Sequence, residues 1–521
     1  MPRGTRKVPL PPFPGGVVDD VNPATIPPGQ YLASSNWLVR RQVGRPRPGY
    51  TRLGTAAVAD ANRVLGFGFR GSVETEANTV LHTTANAYNW TGTAFNAITG
   101  TWTSSASNEH VRFTTFFQSS ELRLLRVNAQ NAPDYWSGTG SFVDVAGSPP
   151  SARDIATVAE RVVLFNITSG GVNSPYRVQW SDFTDMGTWG ASSFTDLAQT
   201  TGPIIAGRAL GPLTMGVYKD DSVWLGTAQA ALVPFQFQLI ARTPGPVSPA
   251  ALVTSHDAHY WLTHDGVVYR YDGTGVPRAI STGLAPTIRD TLDFDNRDLS
   301  HGMYVAGDTD PEIWFFFARI GTVGPALDRA ISVNTVTGAA HLHSLAHSIT
   351  AAHQWTMIAG LTWNDLTGTW DTLGDTYPSW NEMSTAQARS QIVADVNGNI
   401  YRFGTVNTDN GTAIAWSATH GWVLIAEGGE DFYLDGIATY WQQASTSISV
   451  TASIIATTAL ADAASETETS TTFDPATNSN HLINFANQRG KWLRVRYSAA
   501  SAINDLRYRG SLVMGYPRRM A

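Results

Sequence analysis

The chain has 521 residues, 42% hydrophobic and 15% charged, with a formal net charge of −7 and no cysteine. Disulfides, thiol nucleophiles and cysteine-bound zinc are excluded outright, and so is a wholly disordered chain. The charged fraction lies well below the usual ~25%, which argues against Lys/Glu-coated helices, while 47 Gly, 27 Pro and 17 Trp favour strands and tight turns.

Residues 1–52 hold nine prolines between Pro9 and Pro48 and read as an extended arm. Phe13, Ile26, Tyr31, Trp37 and Tyr50 give it apolar anchors, so it should lie on its own body or on a neighbour. Its first residues, Met1 to Lys7, lack the apolar run of a secretory signal, and no stretch of the chain is long and apolar enough for a membrane helix.

From about residue 60 the pattern becomes strand, turn, strand. Apolar runs such as Leu122–Val127, Val162–Phe165, Met215–Tyr218, Tyr260–Leu262, Ile313–Phe317 and Ile392–Val396 alternate with turn residues. Asp265-Gly266, Asp272-Gly273 and Asn397-Gly398 suit tight hairpins because these residues accept positive φ. The unit recurs every roughly 35–50 residues, six or seven times between residues 60 and 425, which is the period of propeller blades. One helix is expected near Leu284–Leu292, with Pro286 in its first turn. Residues 426–521 read as a small β-sandwich or sheet, with a long exposed loop from Ala459 to Asn480. The expected fold is therefore all-β: an arm (1–52), a β-propeller-like body (53–425) and a C-terminal β domain (426–521).

Charge is uneven. Residues 1–52 carry +6 and residues 487–521 carry +7, leaving −20 for the middle. An acidic body with basic ends is not the footprint of a nucleic-acid-binding protein.

Few residues suggest chemistry. His341, His343, His347 and His353 could offer metal ligands, but no carboxylate is near in sequence, so they read as ordinary histidines. Ser181 to Trp189 resembles the Asp-box of sialidase propellers, a structural turn, with one spacer missing. Asp220/Asp221, Asp293/Asp295 and Asp308/Asp310 are paired carboxylates of the kind glycoside hydrolysis uses, yet turn-forming Asp explains them as well. Trp363, Trp370 with Asp371, and Trp380 form a short Trp-Asx-x-Leu/Met repeat that could stack on a sugar or pack internally. No phosphate loop, nucleophile elbow or zinc-protease motif occurs. The expectation is a protein that is not an enzyme and uses no cofactor or metal.

The arm reads Phe13-Pro-Gly-Gly16, Asn22-Pro23, Ile26-Pro-Pro-Gly29, Asn36-Trp37 and Gly44-Arg-Pro-Arg-Pro-Gly-Tyr50. Further on come Val178-Gln-Trp-Ser-Asp182 with Trp189, Tyr218 to Trp224, Gly245 to Pro249, and Trp370-Asp371 before Asp395 to Tyr401. This order resembles the tail nozzle (tail tubular B, or tail hub) proteins of short-tailed double-stranded DNA phages. The resemblance implies a structural virion protein at the distal end of the tail, a hexameric ring below the tail adaptor. It would enclose the channel for ejected DNA without binding it specifically, carry fibres or spikes, and come near the host envelope. Asn36, Trp37, Pro48, Gly49, Trp180 and Trp189 would then be structural positions. Arg40, Arg41, Arg45, Arg47, Tyr50, Arg518 and Arg519 are the candidates for clasping a neighbouring subunit, and removal of residues 1–52 is expected to abolish rings while leaving a folded body. The competing readings are a carbohydrate-binding or carbohydrate-cleaving propeller and a receptor-binding tail tip.

Overall fold

In the computed structural model of the protein, residues 6–519 are described except 11–14, 20–25, 27–29, 41, 55, 72–78, 93, 101, 103–109, 231–232, 256–257, 306–310, 322–325, 359–386, 405, 427–429, 443, 445, 461–465, 478–479, 486–487 and 504–505; at 355–358, 387–390 and 518–519 only the backbone is described.

Seven antiparallel meanders follow one another along the chain. Blade 1 runs Val64–Phe69, Thr79–Thr83, Ala87–Trp90, Phe95–Ile98, and blade 2 runs Arg112–Gln118, Glu121–Val127, Asp134–Trp136, Val143–Asp144. Blade 3 runs Ser151–Val158, Arg161–Ser169, Val172–Trp180, Phe194–Asp196, and blade 4 runs Ile204–Gly211, Thr214–Lys219, Val223–Ala228, Phe235–Ala241. Blade 5 runs Leu252–Thr254, His259–Leu262, Val268–Tyr271, Arg278–Ser281, and blade 6 runs His301–Val305, Glu312–Phe316, Arg329–Asn334, Ala340–Ser344. Blade 7 takes three consecutive strands, Ile349–Ile358, Gln387–Asp395 and Ile400–Phe403, and its fourth, Tyr50–Arg52, from the arm.

The first strands of neighbouring blades pack side by side, with the short 3-10 turn Pro249–Ala251 helping to link blade 4 to blades 5 and 6, and the first strand of blade 7 lies against that of blade 1. The ring is therefore closed, and the all-β propeller expected from the sequence is the fold. Its buried faces come from period-two alternation and from the turns. At Asn397-Gly398, Asp395 Oδ1 accepts the amides of Asn397 and Asn399, both at 2.9 Å, and Gly398 sits at φ +72°, where a side chain is strained. The expected helix is present as Ala285–Thr291, with Pro286 in its first turn. The run Val80 to Trp90 folds as a hairpin, because Thr83 Oγ1 accepts the Asn86 amide and turns the chain.

The C-terminal region is a sandwich that also contains the arm. One sheet orders Trp37–Arg40, Val43–Pro46, Arg507–Arg519, Glu430–Gln442 and Asn480–Asn484, with Arg6–Leu10 pairing alongside Arg507–Arg519. The other orders Tyr31–Ser35, Trp416–His420, Trp492–Ala499, Val450–Thr457 and Thr469–Phe473. Of the two places expected for the arm, its own body or a neighbour, the described residues take the first, and two other expectations change. The arm lies on its own chain as strands of both sheets and of blade 7. The strand Trp416–His420, assigned to the body from sequence, pairs inside the sandwich. Part of the supposed loop 459–480 is an edge strand, Thr469–Phe473, whose β-branched threonines alternate between half-buried and exposed.

The sandwich core is aromatic. Trp37 is fully buried, stacks on Trp416 at 4.6 Å and meets Trp441 edge-on at 6.4 Å, while Trp441 lies 5.0 Å from Tyr508 and 5.7 Å from Tyr497. This core continues into blades 5 and 6 through Tyr260, Ile313 and Ile331, so the sandwich and that side of the propeller bury one another.

Candidate functional site

The arm residues singled out from sequence form one network. Asn36 stands at φ +54°, a left-handed conformation that Asn tolerates better than most residues. From there its Nδ2 donates to Ala415 O at 2.7 Å, and its Oδ1 accepts from Arg47 Nε at 2.9 Å and from the Ser344 amide at 2.8 Å. Arg47, 2% exposed, makes a two-pronged ion pair with Asp409 at 2.8 and 2.5 Å and also donates to Ser344 O at 2.6 Å. A fork-to-fork geometry of this kind suits guanidinium and carboxylate and no Lys could copy it. Gly49 then passes so close to Thr408 that a Cβ would stand 2.1 Å from its carbonyl oxygen. Pro48 accepts from Arg47 Nη1 at 3.0 Å, and the Tyr50 hydroxyl lies 2.9 Å from His347 Nδ1 in a setting whose burial pushes the phenol well above its usual range.

Arg40 pairs with Glu312 of blade 6 at 2.6 and 2.7 Å. Burial pushes this carboxyl up, but Arg40, a hydrogen bond from Trp314 Nε1 and the charge of Arg45 outweigh it and hold the pKa below the ordinary value. So Arg40, Arg47 and Tyr50, expected to clasp a neighbour, are engaged inside their own chain, because the arm is woven into its own sheets. Arg41 lies outside the described residues. In the sheet register Arg518 stands opposite Asp431 and Arg519 opposite Glu430.

The other sequence candidates resolve into structure. In the Asp-box-like turn, Asp185 accepts from the Gly187 amide, Thr188 Oγ1 and Gln118 Nε2, and Trp189 Nε1 donates to Met186 O. Gln118 belongs to blade 2, so the turn pins blade 3 to its neighbour. Trp180 is buried edge-on to Phe235 at 5.4 Å. Asp221 accepts from Thr201 and Gly202 as a turn former. Asp293 does likewise for Asn296, and Asp308 and Asp310 lie outside the described residues. His341 and His343 are buried, the latter stacked on Trp314 at 4.4 Å, and no metal-holding group of three His, Cys, Asp or Glu side chains occurs among the described residues. Trp363, Trp370, Asp371 and Trp380 also fall outside the described residues.

One feature escaped the sequence reading. On the propeller axis the first strands of blades 1, 2, 4, 5, 6 and 7 line a cavity of about 210 Å³. Asp154 of blade 3, 0% exposed, takes Arg208 Nη1 at 2.7 Å, Arg112 Nε at 3.3 Å and the Gly207 amide at 3.0 Å. Burial pushes its pKa up to about 6 against the pull of Arg112 and that amide, so it is ionised at neutral pH. His110, His301 and His353 also line the cavity, and burial, which disfavours the charged ring, lowers them to about 4, 3 and 3. His110 has a carbonyl oxygen at each ring nitrogen, Leu65 O at 2.9 Å and Leu299 O at 3.0 Å. The legible signal was a charged residue inside an apolar first strand, as with Arg112, Asp154 and Arg208, but nothing in the sequence showed that these strands meet on one axis.

The chain is a β-propeller protein with an appended sandwich. No family model matches it, and no curated protein does. Among solved structures it is similar to BamB from Moraxella catarrhalis (9% identity, 68% of this chain and 98% of that one, TM-score 0.36). It is also similar to YCF48 bound to D1 peptide (10%, 69% and 97%, TM-score 0.37) and to BBS1N in complex with ARL6DN (12%, 68% and 97%, TM-score 0.40). At these scores the likeness carries no argument about function, and the propeller is read from its own sheets.

Proposed function

We propose that the chain is a structural subunit of the distal tail nozzle of a short-tailed phage, a ring member around the DNA exit channel that supports fibres or spikes and docks below the tail adaptor. The observation that carries this reading is the arm. Asn36, Trp37, Arg47, Pro48, Gly49 and Tyr50, which bear the resemblance to nozzle proteins, here build the joint that locks the sandwich to blades 6 and 7. Their chemistry is that of a rigid mechanical part: a buried ion pair, a close backbone crossing and a stacked indole pair, with no group left poised to react. The net charge of −20 in residues 53–486 also suits a conduit, since a wall of that sign gains nothing from the counterion release by which basic surfaces hold DNA. Arg40, Arg47 and Tyr50 are engaged within the chain, so in such a ring they are not the side chains that reach a neighbour.

Electron microscopy of virions labelled with an antibody against this chain, together with the native mass of the purified protein, tests the proposal. Six copies on the tail axis, or a six-membered ring, is the expected result. Label at the tail periphery contradicts it in favour of a receptor-binding tip, and absence from virions together with glycan binding contradicts it in favour of a carbohydrate-active propeller.

A further inference from the structure

We propose that the outer strand of blade 4, Phe235–Ala241, is a pairing edge for a second copy of this chain, strand against strand, antiparallel and two-fold about Phe237. The inference does not depend on the nozzle reading, since a two-fold contact closes on a pair and does not by itself build a ring.

The outer strands of the other six blades are poor templates. Val143–Asp144, Phe194–Asp196 and Arg278–Ser281 are two to four residues long and each carries a charge, and Phe95–Ile98 has only four residues. The outer strand of blade 6 is covered by the arm, with the Val17 amide on Ala340 O at 2.9 Å and the Asn36 amide on Leu342 O at 3.1 Å. In blade 7 the outer strand has three residues, and Asp409 bridges it at Tyr50. Short length, charge and cover are the devices that keep a sheet edge from extending.

Blade 4 has none of them. Its outer strand is seven residues long, without charge or proline, and among the described residues it pairs only with Val223–Ala228. From Ser222 to Ala241 there is no ionisable side chain, in a stretch of the chain (53–486) whose net charge is −20. Two acidic bodies can approach along this strip without opposing like charges.

The backbone shows which groups face out. Gln229 N donates to Pro234 O at 2.8 Å, so 229 and 234 form a bonded pair at the start of the ladder. Bonded pairs alternate along an antiparallel ladder. Residues 236 and 238 therefore bond inward to Thr227 and Leu225, and the N–H and C=O of Phe235, Phe237 and Leu239 point away from the blade. A bulge opposite Val223 then ends the regular run.

These outward groups fix the register. The antiparallel pairing that engages all three residues sets Phe237 against Phe237 and Phe235 against Leu239, with Gln236 opposite Gln238. Opposed side chains share a face, so the half-buried Phe237 and Leu239 meet apolar partners while the exposed glutamines pair on the other side. Five paired residues make a small contact, so the pair is weak and forms as concentration rises.

The test uses full-length protein. Gln236→Cys and Gln238→Cys, each at an exposed side chain in a chain with no cysteine of its own, are made as separate proteins and oxidised singly and mixed. Opposed Cβ atoms lie about 4.5–5.5 Å apart, within reach of a disulfide after a small adjustment. The expected result is a covalent dimer in the mixture at least tenfold above that in either protein alone. At high concentration the wild type should sediment with twice the mass of the Gln236→Lys, Gln238→Lys protein, in which lysines oppose one another. Mixing that variant with Gln236→Glu, Gln238→Glu protein should restore the doubled mass. Cross-linking no greater in the mixture than in the single variants overturns the proposal, as do equal masses for the wild type and the lysine variant.

Discussion

Blades 2 to 6 and blade 7 use the same four-stranded meander, yet they are assembled differently. In blades 2 to 6 all four strands are consecutive, and the buried ion pair Arg126–Asp134 of blade 2 joins residues eight apart at 2.6 Å. In blade 7 the fourth strand comes from residues 50–52, and the corresponding pair, Arg47–Asp409, joins residues 362 apart. The sandwich extends the second pattern, since the arm supplies strands to both of its sheets. One region of the molecule is locally specified. The other is held by contacts that exist only once both ends of the chain have come together, and loop closure over such a distance must precede the gain.

Removal of residues 1–52 should have the largest effect. The sequence alone suggests that a folded body would survive. The structure predicts otherwise, because four sandwich strands and the outer strand of blade 7 leave together. Circular dichroism melting should show loss of the cooperative transition; a truncated chain that melts like the full one contradicts the account.

Acid should strike both regions. Burial holds His82, His110, His259, His301 and His353 in the propeller, and His341, His343 and His420 at the sandwich junction, below the ordinary imidazole value. A group of this kind binds fewer protons folded than unfolded between about pH 6.5 and its folded pKa. Stability is therefore complete above about pH 6.5 and declines as the pH falls toward 4. Melting temperatures should hold between pH 7.5 and about 6.5 and then drop steadily toward pH 4, and a flat profile over the lower range would contradict the depressed imidazole values.

Single substitutions sharpen the contrast. Arg47→Ala and Arg126→Ala each strand a buried carboxylate and should cost about 3–5 kcal/mol in chemical denaturation. Only Arg47→Ala should also expose the arm to limited proteolysis, since Arg126, held between Trp102 at 4.0 Å and Phe142 at 3.6 Å, serves the junction of blades 1 and 2. Gly49→Ala drives a Cβ into the Thr408 carbonyl and should cost about 1–3 kcal/mol, against about 1–2 kcal/mol for Gly92→Ala, where φ is +96° but the space is open. A Gly49→Ala protein as stable as the wild type would contradict the close crossing at Thr408.

The same division decides what could be read in the sequence. The hairpins at Asp265-Gly266, Asp272-Gly273 and Asn397-Gly398, the short helix and the count of six or seven units follow from neighbours in the chain, and those were legible. The destination of the arm was not. Trp37 carries the mark of a core residue, but nothing local says that its partner is Trp416. The same holds for Trp416–His420, which reads as a further body strand until its pairing partners in the arm and at Trp492–Ala499 are known. Polarity hid the edge strand Thr469–Phe473, because an edge strand needs only one buried face. The axial cavity was hidden for a related reason: Arg112, Asp154 and Arg208 are unremarkable singly and gain meaning only when three blades meet.

The claim that the arm completes its own chain is best tested by cross-linking. Thr51 and Arg402 face each other across the closing strands of blade 7, where opposed Cβ atoms lie about 4.5–5.5 Å apart and a small adjustment admits a disulfide. The chain has no cysteine of its own, so Thr51→Cys with Arg402→Cys gives an oxidised product free of background. On a denaturing gel without reductant the account predicts a band at the monomer mass with the altered mobility of an internal loop. A ladder of covalent dimers and higher species would contradict it and return the arm to the role of a clasp between subunits.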